Sequence, residues 1–161
     1  DRKDAIEEFD RILSVNLRGV FLGLRYVVQA MVGQGSGSVV NTASIGSERG
    51  LAGGGAYNAA KHGVVGLTRT AASEVGPKGV RVNCVEPGVI ETPLLNEVLE
   101  QLFDGDVAKG LETVGRIATL DRCGKPREVA TVVSFLLSED ASYVNGAAWE
   151  IDGGALATIR H

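Results

Sequence analysis

Residues 38–75 read SVVNTASIGSERGLAGGGAYNAAKHGVVGLTRTAASEV. Ser38–Ala43 is short, apolar and β-branched, which fits a buried strand. Ser44–Gly55 is rich in glycine, and we expect a loop on the surface. From Ala56 to Val75 the residues Ala60, Val64, Leu67, Ala71 and Val75 fall on one helical face. Gly76-Pro77 then ends the helix, since proline cannot continue it. A strand, a loop and a helix in this order are the material of a parallel sheet.

The pattern extends in both directions. Upstream, Ile6, Phe9, Leu13, Leu17, Val20, Leu24, Val28 and Met31 recur every three or four residues, which predicts one helix over Ala5–Met31. Gly19 and Gly23 interrupt it, either because another helix packs closely there or because the helix merely tolerates them. A turn over Gly33–Gly37 leads into the strand. Downstream, Val80–Val85 is a second strand, broken by Pro87-Gly88. LLNEVLEQLF reads as helix and DGDVAKG as loop. Arg127–Leu137 is helix after Pro126, and Ala147–Ile151 is a last strand closed by Asp152-Gly153-Gly154. The expectation is an α/β domain with a parallel sheet.

Bulk properties narrow the function. A chain of 161 residues suits one domain, and 44% hydrophobic residues suffice for a sizeable core. The net charge of −4 comes with no basic stretch, so neither nucleic acid nor a membrane surface is an expected partner. Cys84 and Cys123 have no metal-ligand spacing, and no metal is expected. Cys84 reads as a small core residue, and Cys123, beside Gly124, as a loop residue open to solvent. Reduced thiols, the charged opening DRKDAIEEFD and apolar runs too short for a bilayer suggest a cytoplasmic protein.

Tyr57 and Lys61 stand four residues apart, on one face of the helix. A cation that close favours the phenolate, which makes an acid/base pair. Ser44 lies thirteen residues before Tyr57, at the end of a strand. Parallel sheets bind ligands outside the carboxyl ends of their strands. Ser44 and Pro87-Gly88 follow two such strands, so both belong to one edge, to which the start of the Tyr57 helix returns. Phenol, ammonium and hydroxyl together suit proton transfer in alcohol/carbonyl chemistry.

EFDRILSVNLRGVFLG with Asn16, VVNTAS with Ser44, YNAAK with Tyr57 and Lys61, VRVNCVEPGVIETPL, GKPREVATVVSFLLSEDASYVNG and WEIDGG together resemble the short-chain dehydrogenase/reductase family, along essentially the whole chain. The resemblance implies a Rossmann-like, doubly wound parallel sheet and NAD- or NADP-dependent interconversion of an alcohol and a ketone. By it, Tyr57 is the general acid/base. Lys61 favours the phenolate and hydrogen-bonds the nicotinamide ribose. Ser44 positions the substrate oxygen, and Asn16 holds a water in a proton relay behind Lys61. Pro87, Gly88, Val89, Ile90 and Thr92 line the nicotinamide and diphosphate, Ile90 through its backbone and Thr92 through its hydroxyl. The two long helices imply a homodimer or homotetramer.

Against the family pattern, the glycine-rich turn TGxxxGxG and the NNAG segment are absent. GQGSGS precedes a strand rather than opening a helix and cannot replace them. We therefore expect residues 1–161 to be one partial domain, the catalytic half of an incomplete sheet, with Ser38–Ala43 at an edge. Alone it would bind dinucleotide weakly. The alternative is a catalytically inactive remnant that acts only as an association module. The substrate is open: Leu94, Leu95, Val98, Leu99, Leu102 and Phe103 are apolar, which suits either an uncharged substrate or plain helix packing.

Overall fold

The run VRVNCVEP becomes the central strand, β2 (Val80–Pro87). Its side chains are buried on both faces, as a strand covered on two sides requires. In this computed structural model, which describes residues 2–157, β2 lies between β1 (Gly37–Thr42) and β3 (Ala148–Ile151). Both pairings are parallel, Gly37 opposite Val80 and Cys84 opposite Ala148. All three strands therefore end on one edge, as the sequence predicts. β1 is an outer strand of this sheet.

Alternation along β2 assigns its two faces. Val80, Val82 and Cys84 pack against α2 (Gly19–Gln34) and α3 (Gly55–Val75), with Leu24, Val64, Val65, Ala72 and Val75. Val85 faces the opposite way, onto Leu136 of α6 (Pro126–Leu137) and Ala141. Helices on both faces of a parallel sheet make the Rossmann-like α/β architecture that the sequence predicts. Arg81, on the α6 side, donates to the carbonyls of Leu136, Ser138 and Val144. A cation there satisfies the orphan carbonyls at the end of α6.

The first helix runs further than its apolar pattern predicts, and it is not uniform. α1 (Arg2–Leu13) passes into a five-residue π turn, Ser14–Arg18, before α2 begins. The Gly19 N–H bonds to the Ser14 carbonyl, five residues back. Residues 13 and 19 stay helical at either side, so the axis continues unbroken. Gly19 and Gly23 meet no other helix: a Cβ on Gly23 would find open space, and one on Gly19 only the Ser14 carbonyl. Of the two readings, tolerance holds within this chain. The close helix approach is at Gly63 of α3, where a Cβ would lie 2.7 Å from Leu17 Cδ1.

Two loop expectations need correction. The segment after β1 reaches the surface only in part: Ala43, Ser44, Ile45, Gly46 and Ser47 are buried, whereas Glu48 and residues 50–53 are exposed as expected. Side chains make this possible, because Ser44 and Ser47 satisfy each other's backbone in a capping box around a short 3-10 turn, Ile45–Ser47. DGDVAKG is not all loop either. Asp106 accepts from the Lys109 N–H and starts α5 (Val107–Gly115). Cys123 is buried as well, 6% exposed, against the expectation of an open thiol. LLNEVLEQL forms α4 (Pro93–Leu102), and Leu99 and Phe103 pack on Gly110 of α5.

Candidate active site

Ser44 leaves β1 in an extended conformation as the cap of the buried turn. Its Oγ accepts from the Gly46 N–H at 3.1 Å. One lone pair is thereby engaged, and the hydroxyl proton stays available to a partner outside the turn. Such a proton can be donated to a carbonyl or alkoxide oxygen.

Gly46 is where the site comes together. A Cβ on it would lie 3.5 Å from Ser44 Oγ, 3.6 Å from Tyr57 Cε1 and 2.9 Å from Asn58 Oδ1. The serine hydroxyl and the tyrosine ring therefore border the same small space. Tyr57, in the first turn of α3, is 37% exposed, so its ring is half open to solvent.

Lys61 follows one turn later on α3. It is 8% exposed, and its Nζ stands 5.5 Å from the centroid of the Tyr57 ring. Nζ also donates to the Thr42 carbonyl at 2.9 Å, which ties α3 to the end of β1. Two N–H groups of the ammonium remain for other acceptors. Burial lowers the Lys61 pKa from its ordinary value, because the charged form loses water.

Asn16 falls inside the π turn. Its Nδ2 donates to the Ile12 carbonyl at 3.2 Å, within its own helix. Single π turns inside α-helices are frequent at functional positions.

Beyond β2, Gly88 donates to the Ile151 carbonyl at 3.0 Å. A Cβ there would lie 2.8 Å from Asp152 Cα, so only glycine lets the ends of β2 and β3 close up. Val89 and Ile90 run beside Gly124 as an isolated parallel bridge. Gly124 uses both its groups, donating to Val89 and accepting from Glu91. In that pattern the N–H and carbonyl of Ile90 point to the opposite side. One donor and one acceptor side by side match a primary carboxamide. Thr92 Oγ1 accepts from the Leu95 N–H and caps α4; its proton is not consumed by the cap. The donor set of Lys61, Ile90 and Thr92 thus fits the nicotinamide end of a dinucleotide.

Three residues at this edge were not singled out from sequence. Gly46 sets the closeness of Ser44 and Tyr57. Asn58 is 8% exposed, and its Oδ1 has no partner. Glu86, near the end of β2, is 1% exposed. The spacing of Ser44 and Ser47 could have disclosed the buried turn, and a lone charge in the run VNCVEP could have disclosed Glu86. Among the described residues no three His, Cys, Asp or Glu side chains group as metal ligands. No helix among them is long and apolar enough to cross a membrane.

The same fold recurs in known proteins. A family described as enoyl-(acyl carrier protein) reductase matches residues 3–155. Levodione reductase of Leifsonia aquatica is 51% identical over 150 residues, covering 93% of this chain and 56% of its own length. The crystal structure of levodione reductase superposes with a TM-score of 0.89 and 50% identity, over 95% of this chain and 59% of that one. Cyclohexanol dehydrogenase of Acinetobacter sp. (strain SE19) is 46% identical, covering 92% of this chain and 55% of its own length. L-sorbose reductase from Gluconobacter frateurii, complexed with NADPH and L-sorbose, has a TM-score of 0.90 at 31% identity, over 95% of this chain and 60% of that one. The sheet, its helices and the edge that gathers Ser44, Tyr57 and Lys61 are those of a Rossmann-like α/β protein. The chain belongs to the short-chain dehydrogenase/reductase family. It spans little more than half the length of the curated relatives that it matches.

Proposed function

We propose that this chain carries the proton-transfer site of an NAD- or NADP-dependent oxidoreductase that interconverts an alcohol and a ketone. The observation that supports this best is the meeting of Ser44 Oγ and the Tyr57 ring at Gly46, with the Lys61 ammonium 5.5 Å from the ring centroid. The nicotinamide coenzyme supplies the hydride chemistry. Lys61, Ile90 and Thr92 would hold its nicotinamide end, alongside Pro87, Gly88 and Val89.

The remaining roles belong to side chains. Ser44 donates its free proton to the substrate oxygen and fixes that oxygen beside the phenol. Tyr57 gives a proton to the oxygen in reduction and takes it in oxidation. The Lys61 cation stabilises the negative charge left on the phenolic oxygen when that proton departs. Asn16 holds a water behind Lys61 to return the proton to solvent. Intramolecular acid/base help of this type is worth about 10²–10⁴ in rate. In the intact protein, Tyr57→Phe should lower kcat by about that factor while leaving NADH or NADPH binding within about threefold. Undiminished turnover in this variant would sink the reading.

Two finer readings go with it. α4 carries an exposed apolar stripe, Leu94, Val98 and Leu102, next to Thr92, which favours an uncharged ketone or alcohol with an apolar body. Phe9, Phe21 and Tyr26 on α1 and α2 are 44%, 48% and 71% exposed, which favours a homodimer or homotetramer assembled through these helices and α3.

A further inference from the structure

Past Gly88 the chain has left its sheet. β2 closes at Pro87, and the Gly88 N–H still bonds β3 at the Ile151 carbonyl. The residues that follow, Val89–Thr92, are those assigned to the nicotinamide, and binding groups must be held to a fraction of an ångström. A stretch from the far side of α4 and α5 holds them. Gly124 donates to the Val89 carbonyl and accepts from the Glu91 N–H, both at 2.9 Å. It takes the place of a neighbouring strand and leaves both backbone groups of Ile90 facing away from it.

This strap, residues 119–125, is itself fastened on three sides. Toward β3, the Thr119 hydroxyl and the Leu120 N–H both donate to the Gly153 carbonyl, at 2.9 and 3.1 Å. Toward α5, Cys123 Sγ donates to the Leu111 carbonyl at 3.6 Å, and Gly115 admits the Arg122 backbone, which a Cβ there would meet at 3.0 Å. Toward α6, Arg122 grips the Glu128 carboxylate through two N–H groups at 2.8 and 2.7 Å, and Glu128 also accepts from the Lys125 N–H at 2.7 Å. A two-bonded pair of this type fixes direction as well as distance. The Lys125 ammonium closes the circuit on the Glu91 carboxylate, between Ile90 and Thr92. Exposed ion pairs add little to stability, so this convergence on one short backbone segment has its effect on position.

Gly124 is the point of closest approach. A Cβ on it would lie 2.6 Å from Ile90 Cδ1, with the Val89 carbonyl and Glu128 Oε2 no nearer than 3.8 and 3.9 Å. Its backbone is not left-handed, so the Ile90 side chain, and not the conformation, asks for glycine here. We propose that Gly124 is a positioning residue for the nicotinamide end of the coenzyme: carried by the strap, it fixes the direction in which Ile90 presents its N–H and carbonyl. This rests on the oxidoreductase reading above.

The test separates the two ends of the coenzyme. The intact protein is titrated calorimetrically with NADH or NADPH, whichever it binds, and with the matching ADP-ribose or 2′-phospho-ADP-ribose, which lacks the nicotinamide. Gly124→Ala should raise the Kd of the dinucleotide about tenfold, through overpacking against Ile90, and change that of the ADP-ribose by less than about twofold. Adding Ile90→Val to that variant removes Cδ1, makes room for the methyl group and should recover most of the loss. Should Gly124→Ala fail to fold, Lys125→Met carries the same comparison, with an expected rise of about two- to fivefold for the dinucleotide alone. Equal weakening of both ligands overturns the proposal, since general damage to the fold would do that. So does an unchanged dinucleotide Kd, or a loss that Ile90→Val does not relieve. A wild-type protein that binds ADP-ribose no less tightly than the dinucleotide has no nicotinamide contact to position and overturns it too. One that binds none of these ligands sinks the oxidoreductase reading and the strap's role together.

Discussion

One methyl group at residue 46 separates two properties that usually move together. Gly46 has no left-handed backbone, so alanine can adopt its conformation. Gly→Ala at such a position reduces the freedom of the unfolded chain and stabilises by about 0.4–1 kcal/mol. Against this, the new Cβ would sit 2.9 Å from Asn58 Oδ1, the free end of a side chain, and in contact with Ser44 Oγ and the Tyr57 ring. Asn58 can yield, although it holds the Arg49 carbonyl through Nδ2 at 3.4 Å. Gly46→Ala should therefore change stability by less than about 1 kcal/mol in a thermal melt. Turnover should fall about ten- to a hundredfold, because the methyl group separates the hydroxyl from the phenol. Wild-type turnover in that variant would mean that Ser44 and Tyr57 do not act on one oxygen. At this scale the sequence disclosed which side chains gather at the strand edge and not their spacing. Ser44, Tyr57 and Lys61 carry a motif that can be read along the chain. The closeness of Gly46, the orphan oxygen of Asn58 and the burial of Glu86 arise only when β1, β2 and α3 are brought together.

At the scale of elements, α4 has two apolar faces that the sequence could not tell apart. Leu95, Leu99 and Phe103 recur every fourth residue, and so do Leu94, Val98 and Leu102. Only packing distinguishes them: Leu99 is 1% exposed against Gly110, while Leu94 and Leu102 are 71% and 70% exposed. Substitutions on the two faces should therefore have different consequences. Leu99→Ala should destabilise the protein by about 2–5 kcal/mol, as loss of a buried leucine does. Leu102→Ser should leave the melting temperature nearly unchanged and raise KM for an apolar ketone several-fold, with kcat held. A KM for the apolar ketone equal to the wild type's in that variant would remove α4 from the substrate site. Strands and long helices were legible to within a few residues, because their apolar periods are long. The turn after Ser44 and the start of α5 were not, since each depends on a few side-chain caps, Ser44 with Ser47 and Asp106. The π turn was invisible for a related reason. Leu13 and Leu17 keep helical spacing across it, and one extra residue per turn leaves no mark on an apolar pattern.

For the whole molecule, α1 and α2 carry several large apolar side chains that no element of this chain covers. Phe9, Phe21 and Tyr26 lie on α1 and α2, and Asp10, Leu13, Leu17, Phe21 and Leu67 line a cavity of 660 Å³ between these helices and α3. Gly23 leaves open space on the same helix. Surface of this type is unusual on a monomer and is normally covered by another chain. Light scattering on the intact protein should give a dimer or tetramer at micromolar concentration. Phe9→Glu with Phe21→Glu should shift it toward monomer, because burying uncompensated like charges in an apolar contact costs several kcal/mol. Lys61 and Tyr57 lie on α3 as well, toward its first turns, whereas Leu67 and Thr70 lie toward its end. Dissociation should therefore loosen α3 and reduce turnover without changing the identity of the preferred coenzyme. A double variant that stays oligomeric would move the interface elsewhere, and one that becomes monomeric with full turnover would show that the site is complete within one chain.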